Sequence, residues 1–460
     1  MSASILRGRG VAMMLWRFGV VLAVLSGAVP TQAATTLNFL ATDFPEYDAF
    51  VAAANAIGKP LGIEVKKTNV NFDDIPKKVL LDLTSGVKTW DLIFINSGWT
   101  YSFASRKALL PLDDFTTTAS ARTLLNKEDF VPAAKELQHQ GKLYAMPYLS
   151  APLMVGYRRD LFQDASERQA FKAKNGYDLA PPKTYKELLD VAKFFTRKKG
   201  ETLAGKPLEE DFYGNAIAAK KPFLFGRYQS MLVAFGVAPL YDPKTMRPTW
   251  DSPGSAELLK YYVELFKTMP PGIENMSGGE SARFTARGQV ATIVHFLDLQ
   301  YSTFEDPKAS KVVGKFAYSL LPTQIPARPH ALVVDANGIG IYGLSQHKAE
   351  AYRILSETLS TKGLQEVVKN YPEYPAMRLS TLSDPEVIKG RPALYEAMGL
   401  AAREKVYLVS LPELKEWSQL VDIACDSVIE AATGQKPVDQ ALKDGQGRMV
   451  DVFKRTGYIK

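Results

Sequence analysis

The sequence predicts an α/β protein built around two cores. Three features carry that prediction. The chain has 460 residues, more than one ordinary core accommodates. Strand-like and helical segments alternate from residue 37 onward. A proline-punctuated extended stretch near residue 150 suits a crossing between two halves. The composition, 46% hydrophobic and 23% charged, is globular and sets aside general disorder.

The first 33 residues are expected to lie outside the fold. Arg7, Arg9 and Arg17 precede an apolar run over 18–29, and Thr31, Gln32, Ala33 and Ala34 form a small-residue exit. That is the pattern of a secretory signal peptide cleaved after Ala33. The run falls short of the roughly 20 apolar residues that span a bilayer. Cleavage would leave 427 residues and, by removing three arginines and no acid, lower the net charge from +7 to +4. So mild a charge argues against nucleic acid as a partner. Cys425 is the only cysteine, which precludes an intrachain disulfide and leaves none beside the cleavage site for a lipid anchor. A protein free in the exported compartment is expected. Cys425 itself reads as a small buried hydrophobe.

Along the mature chain, residues 37–41 read as a strand and 47–57 as a helix stopped by Gly58 and Pro60. Residues 63–70 alternate as a strand, 73–83 are helical, and 91–95 form an apolar run suited to a strand buried on both faces. The loops at the carboxyl ends of the first and third strands, 42–45 and 96–100, are polar and aromatic, where such sheets place ligand loops. Residues 142–145 and 153–157 read as extended segments flanking Pro147 and Pro152, a crossover rather than a core strand. Helices are expected at 185–196, 230–235, 255–266, 347–359, 414–432 and 438–454, and strands at 290–294, 316–321, 332–335 and 339–342.

Several segments resemble one family, the extracellular solute-binding proteins of carbohydrate ABC importers, the group that includes maltose-binding protein. Gly141-Lys142-Leu143-Tyr144-Ala145-Met146-Pro147 is similar to its lobe-crossing strand, and Tyr157-Arg158-Arg159-Asp160-Leu161-Phe162 to the sequel. Pro182-Lys183-Thr184-Tyr185-Lys186-Glu187-Leu188 resembles a helix start of the family, and Gly288-Gln289-Val290-Ala291-Thr292-Ile293 the strand leading into a ligand loop. Thr433-Gly434-Gln435-Lys436-Pro437 onward resembles its terminal signature. The resemblance implies the two-lobed periplasmic binding protein fold, an α/β architecture with a ligand cleft between lobes. Lobe one would take 34–149 and 325–360, and lobe two 150–324 and 361–460. It implies a periplasmic monomer with a sugar, oligosaccharide or polyol cargo, delivery to a membrane permease, and no cofactor.

A sugar site needs rings for its C–H faces and charged or amide groups for its hydroxyls. In lobe one the candidates are Asp43, Phe44, Asn96, Ser97 and Trp99, with Asp43 alternatively capping the next helix and Trp99 alternatively packed under its loop. Tyr148, after Pro147, is expected to face the cleft, and Ala151 stands where maltose-binding protein has a ligand-contacting glutamate. In lobe two, Phe225, Arg227 and Tyr228 are expected just ahead of the 230–235 helix, with a solvated Arg227 as the alternative. His295, Phe296 and Asp298 follow the 290–294 strand, with Phe296 substituting for a stacking aromatic of the family. Asn337 is either a ligand contact or a turn with Gly338. Arg378 is expected at the cleft rim and Trp417 in a core.

Two other classes compete. A glycoside hydrolase would use facing carboxylates such as Asp43 and Asp298. The same fold with iron, a polyamine or an organic anion as cargo is the other. His139, His295, His330 and His347 are too widely spaced in sequence to suggest a zinc site, no G-x-S-x-G elbow is present, and Tyr261–Tyr262 sits among helical apolar residues that favour packing.

Overall fold

The computed structural model describes every residue except 1–34, 44, 222, 238, 325–329, 371–375, 390, 404–405, 409–411 and 413. The expected signal peptide and Phe44 therefore lie outside the described residues. In chain order the main strands are β1 (Thr35–Ala41), β2 (Ile63–Asn69), β3 (Leu92–Asn96), β4 (Met146–Arg158), β5 (Tyr213–Ala216), β6 (Val290–Phe296), β7 (Phe316–Ser319), β8 (His330–Leu332), β9 (Val334–Ile341) and β10 (Val406–Leu408).

The alternation at the start gives parallel β1, β2 and β3, covered by helices including Pro45–Gly58 and Ile75–Thr84. β9 runs antiparallel beside β3, and β4 lies beside β9. β4 is where the expectation fails. Residues 146–158 form one continuous strand, buried along nearly its whole length. Its first half, Met146–Pro152, pairs with β9; its second half, Leu153–Arg158, pairs with β6 and β7. One strand thus serves two sheets, and it is core and crossover at once. The prolines fall where a ladder loses nothing by a missing N–H. Pro147 adjoins a bulge, at which the register skips Tyr148, and Pro152 is the last residue paired to β9 before the changeover.

β9 also differs from expectation: residues 332–335 and 339–342 do not form two strands around a turn. Asn337 lies inside β9, at the register shift, and makes no turn.

Two large apolar cores flank the shared strand. The first gathers β1, β2, β3, β9 and the start of β4. The second gathers the helices Tyr185–Phe195, Phe223–Ala234, Pro253–Phe266, Trp417–Ala432 and Val438–Arg455 against β6. Thr184 and Glu187 start the first of these helices with a reciprocal capping box, the physical content of the family-like Pro-Lys-Thr-Tyr-Lys-Glu run. Tyr262 is buried in the second core, and Tyr261 packs against the rings of Tyr185 and Phe235.

The expected boundary at residue 361 is corrected by packing. Leu364, Val367 and Val368, spaced as one helical stripe, are buried in the first core, as are Met377, Val387 and Leu394. The chain re-enters the second core only at Leu414. Among the described residues the chain changes core within β4, between Val333 and Ala336, and between Ala397 and Leu414, while Leu297 and Leu320 reach the first core from a stretch that otherwise packs on the second. β8, which ends just before the second of these changes, pairs in parallel with β10, which lies within the third, His330 with Val406 and Leu332 with Leu408.

Candidate functional site

The carboxyl ends of β1, β2 and β3 each deliver side chains to one edge of lobe one. After β1, Thr42 is buried and its hydroxyl donates to Asp43 Oδ1 at 3.2 Å, while Asp43 is exposed. After β3, Asn96 Oδ1 accepts from the Gly98 N–H at 3.1 Å, which shapes the Ser97–Trp99 turn. Asn96 Nδ2 donates to Asn337 Oδ1 at 3.1 Å and ties that turn to β9. Trp99 is half-buried: its ring stands edge-on to Phe94, centroids 5.4 Å apart, and lies 4.8 Å from Phe72. Ring packing under the loop and a part-exposed indole are thus both true of Trp99.

Phe72 follows β2. It was missed in the sequence, yet the rule that singled out the loops after β1 and β3 applies equally to the loop after β2. Its ring reaches across to lobe two and meets Phe223, centroids 6.3 Å apart and planes 33° apart. Phe223 was missed because its helix begins at residue 223 and not at 230.

That earlier start corrects the three residues expected ahead of the helix. They lie within it, and each side chain turns inward. Phe225 is buried edge-on against Trp417, centroids 5.5 Å apart, so Trp417 packs on the second core as expected. Tyr228 is buried against Tyr262. Arg227 is neither solvated nor in the cleft: it is 2% exposed, and its Nη1 donates to the Phe223 carbonyl at 2.9 Å.

His295, expected to touch ligand, is completely buried at the end of β6. Its Nε2 lies 2.8 Å from Arg227 Nη2 and its Nδ1 3.2 Å from the Phe296 carbonyl. Burial, then the neighbouring Arg227 charge, hold the imidazole well below its ordinary pKa. Neutral imidazole with Nε2 accepting from the guanidinium carries its proton on Nδ1, directed at that carbonyl. Phe296 stays partly exposed, with the Arg227 guanidinium 5.3 Å from its ring centroid. Asp298 opens the Leu297–Phe304 helix, and its side chain is not among those described.

Two further expectations are corrected. Tyr148, the bulge residue, does not face the cleft: it is 1% exposed, packs against Tyr47 and Phe50, and donates its hydroxyl to the Glu46 carbonyl at 2.8 Å. Arg378 is no rim residue. It is fully buried in lobe one, donating to the carbonyls of Leu359, Asn126 and Leu125, pairing with Asp129, and stacking over Phe130 at 4.3 Å. Its long apolar stem suits it to a core provided every guanidinium edge is met.

Trp99 and Phe72 on one lobe meet Phe223 on the other, with the Asn96–Asn337 amides on the first lobe, and this is the arrangement of a two-lobed binding protein. The chain belongs to the bacterial extracellular solute-binding protein family, whose pattern matches residues 51–394. It is 23% identical over 436 residues, 94% of this chain and 92% of the relative, to a probable amino-acid ABC transporter periplasmic-binding protein of Sinorhizobium fredii. It is 23% identical over 356 residues to the mannitol-binding protein of Pseudomonas aeruginosa, covering 72% of this chain and 74% of that one. A solved ABC transporter solute-binding protein of Agrobacterium vitis with bound D-mannitol superimposes with a TM-score of 0.74 at 21% identity, covering 93% of this chain and all of that one.

Proposed function

We propose that this protein captures a neutral polyol or sugar between its lobes in the periplasm and hands it to the membrane permease of an ABC importer. The observation that carries this reading is the aromatic row Trp99–Phe72–Phe223, which runs from one lobe to the other beside the Asn96–Asn337 amide pair. Rings supply faces for C–H groups and amides supply both donors and acceptors for hydroxyls, the complement of a polyhydroxylated chain or ring. Two relatives of the fold and family that bind mannitol support the same class. A ligand touching both lobes gains most of its contacts only when they close, and that difference draws them together. Moving a mostly open population to a mostly closed one takes about 5 kcal/mol of differential binding.

The amino-acid name of one relative supports a second reading. An amino acid brings a carboxylate that seeks a cation, and Arg227, beside the Phe223 and Phe296 rings, is buried. The polyol is therefore the stronger reading. A thermal-shift series with mannitol, ribitol, maltose and a panel of amino acids tests it, since a ligand that binds the folded state raises Tm. A rise with polyols or sugars and none with amino acids is expected; the reverse overturns the assignment. Recovery from the periplasm of a chain beginning at Ala34 would support export through the 33-residue signal peptide.

A further inference from the structure

We infer that Arg227 and His295 are positioning residues, a buried guanidinium–imidazole pair that sets the Phe223 and Phe296 rings at the cleft without touching the ligand. The inference rests on the reading that these two rings face the cargo. Both polar side chains are sealed off, Arg227 at 2% exposure and His295 at 0%, whereas both rings remain partly exposed. The guanidinium bonds to both ring-bearing segments. Nη1 donates to the Phe223 backbone carbonyl at 2.9 Å, and Nη2 reaches His295 Nε2 at 2.8 Å. His295 in turn holds the Phe296 carbonyl through Nδ1 at 3.2 Å.

The same cation lies 5.3 Å from the Phe296 centroid and 5.9 Å from that of Phe223, within reach of a cation–π attraction to each. Between the Phe296 ring and Gly226 there is room for a methyl group, since a Cβ there would meet the ring at 3.7 Å, an ordinary van der Waals distance. The pair fits only because the helix beginning at Gly278 presents no side chain to it. A Cβ there would come within 2.6 Å of Arg227 Nη2 and 3.0 Å of His295 Nε2, while the Gly278 carbonyl stands 3.0 Å from Nε2. Three separate elements therefore converge on one cation whose polar edges face protein, and the surface they share is the pair of rings.

The primary test needs no ligand. 4-Fluorophenylalanine at position 296 gives a fluorine NMR line that reports ring environment and mobility. In R227M, which replaces the buried cation with a side chain of similar length, and in G278A, which crowds the pair, the line should shift and broaden. H295Q, able to accept from Arg227, should resemble the wild type more closely than H295L does. An unshifted line in R227M and G278A overturns the proposal. The second arm is calorimetry with D-mannitol and its 1-deoxy analogue well below the unfolding temperature. R227M and G278A should weaken both by the same factor, about tenfold for the loss of one oriented ring contact. A variant that discriminates between the two sugars would make Arg227 a direct hydroxyl contact and overturn the proposal. Should the wild-type protein bind neither polyol, mannitol is not the cargo, and the fluorine lines alone decide the positioning role.

Discussion

Phe72 and Phe223 meet ring to ring across the two lobes, centroids 6.3 Å apart. Phe72 stands on the loop after β2 and is buttressed by Trp99 and Phe94, at 4.8 and 5.9 Å, whereas Phe223 opens a helix of the second lobe. A contact of this kind is worth about 1 kcal/mol beyond the area it buries. A contact between rings of the two lobes favours whatever arrangement of the lobes keeps them together.

Replacing Phe223 with Ala removes that contact. Small-angle scattering of the ligand-free variant should show a larger radius of gyration than wild type, and affinity for a bound polyol should fall at least fivefold, the equivalent of about 1 kcal/mol. Identical scattering profiles would mean the rings do not govern closure.

Arg378 should behave oppositely, as a residue of stability alone. Truncation to Ala takes the donor from the carbonyls of Leu359, Asn126 and Leu125 and empties space beside Phe130, while Asp129 keeps its bonds from Ser380 and Thr361. Leaving a buried acceptor without its donor costs about 1–3 kcal/mol. A large drop in the denaturant midpoint with unchanged ligand affinity at low temperature is expected; weakened binding in a fully folded variant would return Arg378 to the site.

Acid should act partly through His295. Its folded-state pKa lies well below the ordinary 6.5, first because of burial and then because of Arg227. Below about pH 6.5 the unfolded chain takes up a proton that the folded chain refuses. This contribution to stability is therefore intact above that pH and declines as pH falls toward the lowered folded value, by up to about 1.4 kcal/mol per pH unit. The H295Q variant has no such proton to bind, so its Tm should fall less steeply below pH 6.5. Parallel curves for the two proteins would exclude the imidazole from the acid response.

Cys425 should be inert while the protein is folded. It is buried in the Trp417–Ala432 helix, and burial pushes its thiol up to about 12. A thiol-reactive disulfide reagent should label it only at the rate of unfolding, so bound ligand should slow labelling in proportion to the stability it adds. Rapid labelling of the native protein would contradict this burial.

How far the sequence reaches can be judged residue by residue. The order of β1, β2 and β3 with their helices was legible because each segment buries one face, and periodicity records that directly. The loops carrying Asp43 and Asn96–Trp99 were legible from their place at strand ends. Cys425 and Trp417 read correctly as packing residues because their helix carries a regular apolar stripe.

What the sequence by itself determined is the class of protein: an α/β chain with two cores, a crossing between them, and polar aromatic loops at the carboxyl ends of its strands. Tertiary structure alone decided which polar residues reach the cleft. Tyr148 turned inward because a bulge beside Pro147 displaced it from the strand's alternation. Arg227 and His295 were drawn inward as a pair, and Arg378 was claimed by the carbonyls of a helix end and loops more than 250 residues earlier in the chain and by its own neighbourhood. A buried polar side chain is tolerated only if distant backbone and side chains satisfy it. Those partners are assembled by folding, and no local pattern of residue types announces them.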